Sequence, residues 1–120
     1  MRFFRCNHHA VIQACISTSG KAPSDTPKEE LIANTVDAAR EKHVPVIARE
    51  GNTVTVTVGS VLHPMTEEHY IPFIALETAQ GLQVKNLKPG MKPVAVFALA
   101  NGDEPVAAYE YCNLHGLWKC

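Results

Sequence analysis

The stretch that most restricts how this chain folds is Thr53 to Val58, where three threonines alternate strictly with Val54, Val56 and Val58. A period of two puts the valines on one face and the threonines on the other, as in a strand buried on one side. The flanking sequence continues in the same way. Val44 to Arg49 precedes it across a Glu50-Gly51-Asn52 turn. His69 to Thr78, Leu82 to Leu87, Lys92 to Ala100 and Pro105 to Tyr111 follow, punctuated by Gly81, Pro89-Gly90 and Asn101-Gly102, and Leu117 to Lys119 offers a last short strand. Pro72, which has no N–H for a ladder, places its run on a sheet edge or at a bulge. This spacing predicts a mainly β fold, an antiparallel β-sandwich. One helical turn is expected over Thr35 to Lys42, with Thr35 as N-cap and Asp37 in the first turn.

The first 36 residues read differently and form a small N-terminal appendage to a main domain over 37–120. Two apolar runs, Phe3 to Phe4 and Val11 to Ile16, lead into Ser17 to Pro27, rich in Ser, Thr, Pro and Gly. So small a piece cannot hold a core alone; it must be stapled by metal, pack on the main domain or be buried in a dimer. A formal net charge of −1 gives no reason to expect nucleic acid or a membrane surface as partner. No apolar run approaches the roughly 18 residues of a membrane span, and the basic start lacks the features of a signal peptide. A cytoplasmic protein is expected. There, Cys6, Cys15, Cys112 and Cys120 serve as metal ligands or free thiols rather than disulfides. Cys120 reads as an exposed thiol on a frayed end.

Chemistry concentrates at Cys112 and His115, three residues apart in Tyr111-Cys112-Asn113-Leu114-His115-Gly116, which is the spacing of a metal half-site. His43, His63 and His69 each stand beside a strand or turn signal, where a rigid sandwich can present them to a common point. Singly, each is more often a surface or hydrogen-bonded histidine; together with the Cys-x-x-His pair they make five candidate ligands. Four tetrahedral ligands satisfy structural zinc. Four imidazoles and a thiolate exceed that number and suit a redox ion such as iron, with a position left open.

Three segments, EKHVPVI, GSVLHPMTEEHYI and YCNLHGLWK, occur in this order, with an FFRC opening and NTVDAAREKH before the first histidine. In these the chain resembles the superoxide reductases of the desulfoferrodoxin and neelaredoxin type. The resemblance implies an immunoglobulin-like β-sandwich. It further implies one mononuclear iron held by an equatorial plane of His43, His63, His69 and His115 with Cys112 as axial thiolate. Glu41 matches the glutamate that can take the sixth position in the oxidised state, and Lys42 the lysine beside the open site. Family members with a second iron centre carry Cys-x-x-Cys and Cys-Cys near the N-terminus. Here Cys6 remains, His9 stands where the second cysteine would fall, and Pro-Ser-Asp-Thr-Pro replaces the pair. The segment is therefore read as desulforedoxin-like but degenerate, without the four-cysteine iron site.

The implied activity is one-electron reduction of superoxide to hydrogen peroxide, with a rubredoxin-like protein as electron donor and a homodimer or homotetramer as the assembly. Backbone N–H groups between Asn113 and Gly116 are placed to hydrogen-bond the sulfur and tune its donation. The rival readings are superoxide dismutation at the same iron and a zinc-stabilised immunoglobulin-like binding module. An iron oxygenase fits less well, because those enzymes use two histidines and one carboxylate.

Overall fold

The computed structural model describes residues 1–6, 11–15 and 28–120. His9 and the Ser17 to Pro27 segment lie outside the described residues, as does the Cys15 side chain. The chain divides into two compact units, Met1–Ile32 and Ala33–Cys120.

In the smaller unit, β1 (Arg2–Cys6), β2 (Val11–Cys15) and β3 (Lys28–Leu31) form an antiparallel sheet in the order β2-β1-β3. Arg2 pairs its guanidinium with Glu30 at 2.8 Å and stands over the Phe4 ring. The register sets Cys6 opposite Val11 and Cys15 opposite Arg2. Four residues of ladder separate the two positions, roughly 13 Å of strand.

The larger unit contains α1 (Arg40–His43), β4 (Pro45–Glu50), β5 (Thr53–Val58), β6 (Phe73–Thr78), β7 (Gly81–Asn86), β8 (Val94–Ala98), β9 (Pro105–Cys112) and β10 (Gly116–Lys119). Two antiparallel sheets, β10-β9-β6-β7 and β4-β5-β8, enclose one core. Val54, Val56 and Val58 of β5 and Phe97 of β8 meet Ile74 and Leu76 of β6 and Ala108 of β9 in that core. The valine face expected from the alternation is thus the buried face, and its water-excluded apolar area supplies the main drive for folding. This is the two-sheet immunoglobulin-like architecture.

Two local expectations need correction. The run from His69 is strand only from Phe73 onward, and β6 lies inside its sheet rather than at an edge. Pro72 stands one residue ahead of the strand, where its missing N–H costs no ladder bond and its carbonyl accepts the Leu87 N–H at 2.8 Å; the bulge falls later, between Glu77 and Thr78. The helix is a single turn whose N-cap is Ala39, with no side-chain cap, so Thr35 does not start it. One turn cannot sustain itself by propensity; its position is fixed by what surrounds His43.

The strand directions decide where function sits. The start of β4 pairs with the end of β5, and the starts of β6 and β10 pair with the end of β9. Hence α1, the β5–β6 connection and the β9–β10 turn gather at one end of the sandwich.

Candidate metal centre

Those three segments deliver the five predicted ligands. His43 ends α1, His63 and His69 lie in the β5–β6 connection, Cys112 ends β9 and His115 precedes β10. One donor atom each from His43, His69, Cys112 and His115 lies within 4.8 Å of the other three. His63 joins through its Nε2, 3.3 Å from the Nε2 of His43, and its ring lies 4.5 Å from that of His69. His115 Nδ1 is 3.1 Å from His43 Nε2 and 3.7 Å from Cys112 Sγ. His43, His63 and Cys112 are buried.

Hydrogen bonding fixes which ring nitrogens are free. His43 Nδ1 lies 2.7 Å from the Ala39 carbonyl, and His63 Nδ1 lies 2.7 Å from the Pro64 carbonyl. A carbonyl only accepts, so both Nδ1 atoms carry the proton and both Nε2 atoms present lone pairs. Two lone pairs facing each other at 3.3 Å repel unless a cation lies between them. The buried Nε2 of His69 has no hydrogen-bond partner among the described residues. Buried polar atoms are rarely left so, and one metal ion would satisfy all of these groups together.

The electrostatics agree. Burial pushes His63 down to about 4 and lowers His43 and His69, keeping the imidazoles neutral as ligands must be. Burial raises the Cys112 thiol, opposed by the backbone N–H groups of Leu114 and His115. Those amides are the sulfur donors expected from the Asn113 to Gly116 loop, and a coordinated metal makes the thiolate outright.

Glu41 and Lys42 are exposed on α1, outside the converging group. The Lys42 charge still reaches inward: it lowers both His43 and His69.

Sequence reading missed three residues close to the predicted ligands. Trp118 stacks on His43 with ring centroids 4.8 Å apart and donates its Nε1–H to the His115 carbonyl at 3.1 Å, bracing two ligands; its signal was a lone tryptophan three residues past His115. Gly59 lies against the backbone of α1, and only its place directly after the valine strand hinted at this.

The third is Glu110, fully buried with neither carboxylate oxygen partnered among the described residues, on the same face of β9 as Ala108 and Cys112. Burial pushes its carboxyl from the ordinary 4.5 up to about 9. Between those values the folded chain keeps a proton that the unfolded chain has lost. Stability is therefore full below the unfolded pKa and declines as pH rises toward the folded one, by up to ~1.4 kcal/mol per pH unit. Urea midpoints of the wild type should fall between about pH 6 and about pH 8.5, while Glu110→Gln should flatten the profile. Equal slopes for the two chains would mean that Glu110 is not held neutral.

Four imidazoles and a thiol converging at the end of a β-sandwich make a group that could hold a metal ion. The sequence profile described as desulfoferrodoxin matches residues 35–120, and the chain belongs to the desulfoferrodoxin family. It is 50% identical over 93 residues to a desulfoferrodoxin of Clostridium acetobutylicum, covering 78% of this chain and 72% of that one. A desulfoferrodoxin homolog of Methanothermobacter thermautotrophicus is 35% identical, covering 98% of this chain and 95% of the relative. The crystal structure of the superoxide reductase from Treponema pallidum superposes with a TM-score of 0.78 at 40% identity, over 92% of this chain and 93% of that one.

Proposed function

We propose that this chain is a superoxide reductase whose His43, His63, His69, Cys112 and His115 hold one iron. The observation that carries this reading is the pair of carbonyl-tethered imidazoles aiming lone pairs at each other beside the orphaned His69 Nε2 and the Cys112 sulfur. Bound ferrous iron would supply a single electron at a position open to a small anion. Superoxide gains that electron and two protons from water to give hydrogen peroxide, and an external donor restores the electron.

The chain's own residues shape the rest. The Leu114 and His115 amides hold electron density on the Cys112 sulfur and so tune its donation. The Ala39 and Pro64 carbonyls fix the tautomers of His43 and His63. Lys42 raises the local concentration of an anionic substrate. Glu41, its neighbour on α1, would offer the iron a carboxylate donor. A rubredoxin-like protein is the proposed electron donor, a homodimer or homotetramer the assembly, and the cytoplasm the location. Among the described residues no helix is long and apolar enough to cross a membrane. Residues 1–36 serve as a desulforedoxin-like remnant and residues 37–120 as the iron-binding domain.

Metal analysis of chain purified without added metal, followed by peroxide measurement, tests this reading. Reductase activity gives stoichiometric iron and as much peroxide as superoxide consumed, sustained only while a reductant is supplied. Half that peroxide with no reductant would make the chain a dismutase. Stoichiometric zinc with no redox-dependent colour would make it a zinc-stabilised module. Lys42→Ala should bind iron normally yet react with superoxide on the order of 10-fold more slowly and with weaker salt dependence. An unchanged, salt-insensitive rate would remove the steering role.

A further inference from the structure

His69, like His63, lies in the β5–β6 connection outside any strand or helix. Its own peptide is tied locally to Thr66: the His69 N–H donates to Thr66 Oγ1 at 3.1 Å, and the His69 carbonyl accepts the Thr66 N–H at 3.0 Å. Nothing in that exchange relates His69 to the Cys112-x-x-His115 loop.

Asn113 supplies the relation. Its Nδ2 donates to the Glu68 carbonyl at 3.0 Å, its Oδ1 accepts the Tyr70 N–H at 2.9 Å, and its backbone N–H donates to the Tyr70 carbonyl at 3.2 Å. One residue thus grips the chain on both sides of His69 while standing covalently next to Cys112. An asparagine suits this task, since its amide offers a donor and an acceptor at the same reach. We propose that the Asn113 side chain is a positioning residue that sets the distance between His69 and Cys112, and thereby metal affinity and the thiolate–metal interaction. This rests on the metal-binding reading above. The clamp acts through peptide groups around a ligand, as outer partners of metal sites do, and loss of such partners costs about 10- to 100-fold in affinity.

The test titrates the full chain, loaded with ferrous iron, against a chelator. Asn113→Ala should lose about 10- to 100-fold in iron affinity and shift the thiolate-to-iron absorption band. Asn113→Asp keeps the acceptor for Tyr70 but loses the donor for Glu68, so it should lose less. In a His69→Ala background the same Asn113→Ala change should cost little further affinity, because the ligand it positions is gone. Wild-type affinity and band in Asn113→Ala would overturn the proposal, as would an equal loss in both backgrounds. Should Asn113→Ala fail to fold, Asn113→Asp decides: wild-type affinity and an unshifted band would overturn it. A wild-type chain that takes up no iron would instead fail the functional reading. Hydrogen exchange at the Tyr70 amide would then still decide the clamp, with protection in the wild type and its loss in Asn113→Ala expected, and no difference overturning it.

Discussion

Cys112→Ser should abolish superoxide reduction and remove the thiolate-to-iron absorption from the visible spectrum. Cys112 is fully buried at the end of β9, and its sulfur faces the Nδ1 of His115 at 3.7 Å. A serine hydroxyl fits the same space, but it neither ionises readily nor donates charge as a soft thiolate does. The loss should exceed the roughly 10- to 100-fold that removing a partner one shell further out costs. Because the substitution leaves no cavity of consequence, the metal-free variant should unfold close to the wild type. Stopped-flow reaction with superoxide and the absorption spectrum of the oxidised protein check this. Survival of the absorption would mean that the sulfur bound to iron is not that of Cys112.

Gly59→Ala should damage the site from farther away. Gly59 follows β5 with φ at 86°, in the left-handed region that costs other residues roughly 1–3 kcal/mol. A Cβ there would lie 2.8 Å from the Glu41 carbonyl oxygen, 2.9 Å from the Lys42 carbonyl carbon, and closer still to the Val61 carbonyl oxygen. All are backbone atoms, so α1 or the β5–β6 connection has to move. The same contact is hydrogen-bonded, with the Val61 N–H donating to the Glu41 carbonyl at 2.9 Å and the Ser60 hydroxyl at 3.3 Å. His43 rides on α1 and His63 on the connection, so the shift separates two ligands. A Tm lower by roughly 10 °C or more and iron content well below stoichiometric are expected. A Gly59→Ala chain with wild-type Tm and iron content would show that this close approach does not hold the site together.

Much of the fold was legible because strand signals are local. Thr53 to Val58 needs only its own alternation to declare which face is buried, and the turns at Gly51, Gly81, Gly90 and Gly102 separate its neighbours. Legibility failed where distant groups decide local conformation. His69 to Pro72 is apolar enough to read as strand, yet its backbone bonds are taken by Thr66, Asn113 and Leu87. The single turn of α1 begins at Arg40 rather than near Thr35; its closing bond runs from the Val44 N–H to the Arg40 carbonyl, and the His43 ring holds the Ala39 carbonyl. Among the candidate site residues, Cys112 and His115 announce themselves by spacing. His43, His63 and His69 gained meaning from the order of three motifs.

The sequence by itself determined the residue types available for chemistry, the strands that alternate, and membership in a recognisable family, since each depends on neighbours along the chain. Only the tertiary structure decided that the free nitrogens of His43 and His63 face each other, that Glu110 is buried without a partner among the described residues, and that Trp118, Gly59 and Asn113 brace the ligands. Those properties belong to contacts between segments far apart in sequence. The carbonyls of Ala39 and Pro64 are near neighbours of His43 and His63 along the chain, but the two free nitrogens meet only once the sandwich has folded its loops to one end.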